Sequence, residues 1–136
     1  MAFYRKKKLN GKWHLRAVTL GNPAGTDEVA ARLSRRSTVS RADCYAVITE
    51  LGEVMGEFLA EGRSVKLGGV GSFYLSCRTR GCGTDTPEEL DPRMISDVKV
   101  CFIPEYSRGS NHQVTSRPMV PFPFEWIEVG DKPKKE

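Results

Sequence analysis

The sequence predicts an α+β fold: a helical body and an antiparallel β-ribbon with a protruding arm, extended by an N-terminal ribbon and a C-terminal strand. Three patterns predict it. Apolar and polar residues alternate on both sides of Asn10-Gly11, the strongest short signal for a hairpin. Over Arg41–Ala60 the apolar residues Cys44, Val47, Ile48, Leu51, Val54, Met55, Phe58 and Leu59 recur at three- and four-residue steps, which makes one broad apolar helix face. Directly after that helix, Gly68, Gly69 and Gly71 punctuate two alternating runs. Glycines so placed let the backbone turn sharply and approach another surface.

Each element follows in order. Residues 1–20 form the N-terminal ribbon, basic on its exposed positions, and Gly21-Asn22-Pro23-Ala24-Gly25 stops it. Thr26 precedes a short helix over 27–34, where Asp27 and Glu28 at the start and Arg32 towards the end complement the helix dipole. Thr38-Val39-Ser40 breaks it, and Ser40 or Thr38 caps the next helix, so residues 26–60 make the helical body. The ribbon occupies 61–103. Its strands at 63–67 and 72–78 put Phe73, Leu75 and Cys77 on one face and Ser72, Tyr74, Ser76 and Arg78 on the other. Residues 79–97 contain Gly81, Gly83, Pro87 and Pro92 with few apolar groups and form the arm, and 98–103 return as a strand. A polar loop follows Pro104-Glu105-Tyr106. The C-terminal strand extension spans 118–129, residues 131–136 form a flexible tail, and the whole of 1–130 reads as a single domain.

Charge is unevenly distributed. The net charge is only +4, but through Arg41 the chain sets Arg5, Lys6, Lys7, Lys8, Lys12, Arg16, Arg32, Arg35, Arg36 and Arg41 against Asp27 and Glu28 alone. Residues 42–62 carry five carboxylates and no Lys or Arg. Such polarity suits a polyanion met by one side of the molecule. No run approaches the roughly 18 apolar residues that span a bilayer, so no membrane is expected and the protein is placed in the cytoplasm. Cys44 and Cys101 sit among apolar neighbours as small core residues, while Cys77 and Cys82, flanked by Arg78 and Arg80, are a candidate redox pair. The cysteine spacings and the distant His14 and His112 do not make a metal site.

The helix-to-glycine-ribbon segment at 61–73, together with Phe102-Ile103-Pro104, resembles the bacterial histone-like DNA-binding family of HU and integration host factor over roughly residues 26–108. The chain is most similar to the longer variants, common in Bacteroidetes, that add terminal strands. The resemblance implies an intertwined homodimer whose two β-arms embrace duplex DNA at the minor groove and bend it. One region departs from the pattern. Where the family carries a basic Arg-Asn-Pro tip, this chain has Asp85, Glu88, Glu89 and Asp91, so neither Pro87 nor Pro92 carries over as a wedge between bases.

The candidate DNA contacts are Arg63, Lys66, Arg78, Arg80 and Lys99 at the base of the arm, Arg108 beyond it, and the backbone near Gly69 and Gly71. The candidate dimer interface is Val47, Leu51, Val54, Met55, Phe58, Phe73 and Phe102, because one long helix with a single short helical neighbour cannot bury so wide a stripe alone. The terminal strands are the alternative cover. The expected function is non-catalytic, weakly sequence-selective binding of double-stranded DNA by a histone-like homodimer in the nucleoid, with no cofactor and no small-molecule substrate. An HU-like scaffold or protein-interaction dimer that has lost strong DNA binding is the rival. No base, nucleophile and orienting group are spaced as a catalytic motif.

Overall fold

The computed structural model describes residues 1–120 and 125–130. Contacts divide the chain into two units, Thr26–Val120 and a second made of Met1–Gly25 with the C-terminal residues, where the sequence reads as a single domain. Backbone pairing accounts for the division. β1 (Ala2–Leu9) pairs antiparallel with β2 (Lys12–Val18) and parallel with β8 (Trp126–Glu128), so the terminal strands bond to one another in their own three-stranded sheet. Asn10 and Gly11, at φ 50° and 77°, form the two-residue turn expected of Asn-Gly. The expected C-terminal strand is shorter than its predicted span, and residues 121–124 of that span, like the tail 131–136, lie outside the described residues.

The larger unit begins with α1 (Thr26–Arg36) and α2 (Arg41–Ala60). Ser40 is the cap of α2, its hydroxyl accepting from the Asp43 amide at 3.1 Å and donating to the Asp43 carboxylate at 2.7 Å. The helix ends in a Schellman turn. Gly62 at φ 81° sends its amide to the Leu59 carbonyl, the Arg63 amide reaches the Phe58 carbonyl, and the Arg63 guanidinium lies 5.1 Å from the Phe58 ring centroid.

Against α1, α2 buries only part of its apolar face. Cys44, Ile48, Met55 and Leu59 fall in a stripe about 60° wide at 3.6 residues per turn, with Cys44 and Leu59 buried and the other two half-buried. A second stripe, Val47, Leu51, Val54 and Phe58, lies about 80° around the helix from the first. It is exposed, from 38% at Leu51 to 64% at Val47. Apart from Cys44 and Leu59, Ala30 of α1 is the buried hydrophobic residue among those described.

β3 (Val65–Leu67), β4 (Gly71–Thr79) and β5 (Ile95–Pro104) form the second sheet in that order, all antiparallel. Two differences from the sequence reading stand out. β5 starts at Ile95 within the expected arm, since Thr79 still pairs with Ile95 past an irregularity at Arg78. The polar stretch after Tyr106 holds a small hairpin of β6 (Ser107–Arg108) and β7 (Val114–Ser116), turned by Gly109 and by His112 at φ 60°. The acidic tip contains short 3₁₀ turns at Pro87–Glu89 and Pro92–Met94, each opened by its proline.

Gly71, opposite Pro104 of β5, has no room for a side chain. At φ 148° it is buried, and a methyl group there would lie 2.8 Å from Phe102 Cε2 and closer still to the Ile103 carbonyl oxygen. Gly71→Ala is therefore expected to destabilise the fold by about 1–3 kcal/mol. Gly68→Ala, with open space around the added carbon, should be close to neutral in the same denaturation experiment.

Candidate nucleic-acid interface

Strand alternation separates the second sheet into two chemically distinct faces. The cross-strand pairs Val65↔Phe73, Phe73↔Phe102, Leu75↔Val100 and Cys77↔Val98 make one face apolar. Phe73 and Phe102 stack there with ring centroids 4.8 Å apart. The pairs Lys66↔Ser72, Ser76↔Lys99 and Arg78↔Asp97 place Lys66, Lys99 and Arg78 together on the other face. Six residues of strand separate the levels of Lys66 and Arg78, about 20 Å, the rise of about six steps along one DNA strand.

The remaining predicted contacts are placed differently. Arg63 closes α2 and is 3.7 Å from the Glu61 carboxylate. The Arg80 amide donates to the Met94 carbonyl at 2.9 Å, which fixes its backbone where the ribbon enters the arm while its side chain is exposed. Gly71 is buried against the β5 backbone at Ile103, with no room for a side chain. The Gly69 amide is already engaged, donating to the Glu105 carboxylate at 2.7 Å, while the Glu105 amide donates to the Val70 carbonyl at 3.0 Å. Glu105 thus clamps the glycine turn, a role that nothing local in the sequence signals because the partners are 36 residues apart.

Arg108 is held as well. One guanidinium nitrogen donates to the His112 carbonyl at 2.8 Å, another lies 3.4 Å from the Tyr106 hydroxyl, and the group stacks 4.9 Å from the Tyr106 ring centroid. The hydrogen bond from Arg108, and then its charge, pull the Tyr106 phenol below its ordinary value, with a smaller contribution from Lys66. Lys66, Tyr106 and Arg108 line an open groove of about 420 Å³ with Gly71, Ser72, Ile103, Pro104 and Glu105. Farther along the same face, Ser76, Cys77, Arg78, Asp97 and Lys99 line another of about 240 Å³. Asp97 reduces the positive potential beside Arg78, so the base of the arm is cationic in patches.

At the tip, Asp91 accepts from the Arg93 amide at 2.8 Å and from its guanidinium at 2.8 Å. These bonds lower the Asp91 carboxyl below its ordinary value and keep it ionised. Of the cysteines, Cys77 and Cys82 are exposed, Cys44 is buried and Cys101 half-buried, all as free thiols. Cys101 lies 3.3 Å from the Ser76 hydroxyl. Among the described residues no group of three His, Cys, Asp or Glu is arranged to hold a metal, and no helix is long and apolar enough to cross a membrane.

Two packed helices, a glycine turn and a long antiparallel ribbon drawn out into an arm define an HU-like α+β fold with additional strands. The HU-HIG family, an HU domain fused to a wHTH, Ig or glycine-rich motif, matches residues 3–115, and the chain belongs to this family. The fold is also similar to the crystal structure of a candidate bacterial DNA-binding protein from Bacteroides vulgatus ATCC 8482, with 18% sequence identity and a TM-score of 0.55 over 75% of this chain. This chain spans 41% of that protein's length. No curated protein matches.

Because Arg108 is the main cause of the Tyr106 shift, Arg108→Ala should return the phenol towards its ordinary titration range. Tyr106 ring resonances followed by NMR across alkaline pH check this. A Tyr106 titration unchanged by the substitution would show that the pair is not formed in solution.

Proposed function

We propose that this chain is a non-catalytic, weakly sequence-selective binder of double-stranded DNA, acting as a nucleoid-associated homodimer in the cytoplasm. The observation that carries the reading is the sidedness of the β3–β4–β5 sheet, with Lys66, Arg78 and Lys99 opposite an apolar face. Lysine and arginine at strand spacing contact phosphates and displace counterions without reading base edges. Membership of the HU-HIG family supports DNA as the polyanion, and so does the described DNA-binding character of the Bacteroides neighbour.

Uncovered apolar surface supports the homodimer. Val47, Leu51, Val54 and Phe58 on α2, with Leu75, Val98, Val100 and Phe102 on the sheet, supply apolar surface for a second copy. Met55 and Phe73, both half-buried, border it. Covering what remains exposed of four such helix side chains contributes on the order of 1 kcal/mol each, a large fraction of a domain's net stability.

The scaffold reading keeps the dimer and drops strong DNA affinity. It is favoured by the acidic tip of Asp85, Glu88, Glu89 and Asp91, which repels phosphates, and by the engagement of Gly69, Arg63 and Arg108 within the protein.

Binding to duplexes of unrelated sequence, followed by anisotropy across a salt series, separates the two readings. The DNA reading predicts a steep loss of affinity with salt, a similar affinity for each sequence, and a slope reduced by about 0.9 for each of Lys66, Arg78 and Lys99 changed to Gln. Absence of salt-dependent binding at low ionic strength would leave the scaffold. Leu51→Asp is expected to convert the dimer to monomer or unfolded chain, because it sets an unpaired charge on the apolar stripe. Sedimentation equilibrium checks this, and a wild-type chain that sediments as a stable monomer would contradict the homodimer.

A further inference from the structure

The N-terminal sheet has faces as distinct as those of the arm, and its charge is arranged on a different principle. In the β1–β2 register, Tyr4↔Ala17, Lys6↔Leu15 and Lys8↔Trp13 share one face. There the cations have partners. Lys6 pairs with Glu128 at 3.2 Å and Lys8 lies 6.0 Å from the Trp13 ring centroid, beside a mostly apolar hollow lined by Tyr4, Leu15, Ala17 and Trp126 and edged by Arg16.

The opposite face carries Arg5↔Arg16, Lys7↔His14 and Leu9↔Lys12. Lysine and arginine from both strands thus line this face, with His14 opposite Lys7. Among the described residues, no ion pair involves Lys7, Lys12 or Arg16, and all three are exposed. Arg5, half-buried, stands at the inner end of the row, next to the half-buried Phe3, Val18 and Ile127. The row therefore concentrates positive potential on one side of the ribbon, over about 13 Å of strand.

We infer that the face bearing Arg5, Lys7, Lys12, His14 and Arg16 is a second duplex-binding surface, separate from the base of the β4–β5 arm. A bound polyanion would supply counter-charge to Lys7, Lys12 and Arg16, which have no ion pair among the described residues. Geometry favours a duplex. The major groove of B-DNA, about 12 Å wide, admits a two-stranded β-ribbon, and cations repeated along both strands of this one meet the phosphates that border the groove. An acidic protein surface would call for the same sign of charge, but carboxylates scattered over a protein do not match a regular two-row array as phosphates do. The inference rests on the reading of the chain as a DNA-binding protein, and adds a contact surface from the other structural unit.

The test compares two double variants of the full chain that remove the same charge from opposite faces of one ribbon, Lys7→Gln with Lys12→Gln and Lys6→Gln with Lys8→Gln. Each is titrated with a labelled duplex from about 50 to 200 mM salt, beside the wild type and the arm variant Lys66→Gln, Arg78→Gln, Lys99→Gln. The Lys7/Lys12 variant should lower the salt slope by about 1.8 and weaken binding at 0.1 M salt by about 60-fold. The Lys6/Lys8 variant should change the slope little, and Lys7→Arg with Lys12→Arg should bind as the wild type does. Equal losses from both faces would reduce the effect to net charge and overturn the inference. So would an unchanged slope in the Lys7/Lys12 variant, which would leave the face to an acidic protein; if the arm variant then loses affinity, the DNA-binding function stands without this surface. A wild type that binds no duplex overturns both.

Discussion

The structure depends on a shortage of cover for apolar surface. Two helices and one three-stranded sheet each carry an apolar face, yet only Ala30, Cys44 and Leu59 are buried hydrophobic residues among those described. The short α1 shields the stripe of Cys44, Ile48, Met55 and Leu59 and leaves the adjacent stripe of Val47, Leu51, Val54 and Phe58 open. With so few apolar residues buried, folding gains little from burial alone, and conformational entropy opposes it in full. The proposed second copy answers that deficit.

The same apolar face orients the charged one. Because side chains alternate along a strand, fixing Phe73 and Phe102 on the side to be covered sends Lys66, Arg78 and Lys99 to the side left open. A one-residue slip in register would reverse both assignments. Gly71 and Glu105 guard against it: the glycine admits the β5 backbone at a distance no side chain allows, and the carboxylate holds the turn through the Gly69 amide. The backbone at the glycine turn is in this way a structural device, and the proposed contact surface is made by the cationic side chains.

Elements specified by neighbouring residues were legible in the sequence. α2 runs over Arg41–Ala60 as its apolar spacing requires, with Ser40 as its cap, and the Asn10-Gly11 hairpin forms in the register its alternation implies. The two faces of β4 also follow from alternation alone. What depends on distant partners was not legible. The parallel pairing of β1 with β8 joins strands more than 100 residues apart, and it draws the terminal strands into a unit of their own. The β6–β7 hairpin turns on Gly109 and on His112, whose positive φ composition does not announce. At the candidate site, Lys66, Arg78 and Lys99 could be grouped from strand parity, whereas the internal engagement of Arg63, Gly69 and Arg108 and the placement of Asp97 opposite Arg78 needed the tertiary structure.

The most direct test of the central claim, that folding is completed by a second copy, is thermal unfolding measured as a function of protein concentration. A dimer that folds as it associates gains stability by mass action, so the midpoint should rise by several degrees between about 1 and 100 μM chain. A midpoint independent of concentration across that range, with a single cooperative transition, would show that one chain covers its own core and would contradict the account.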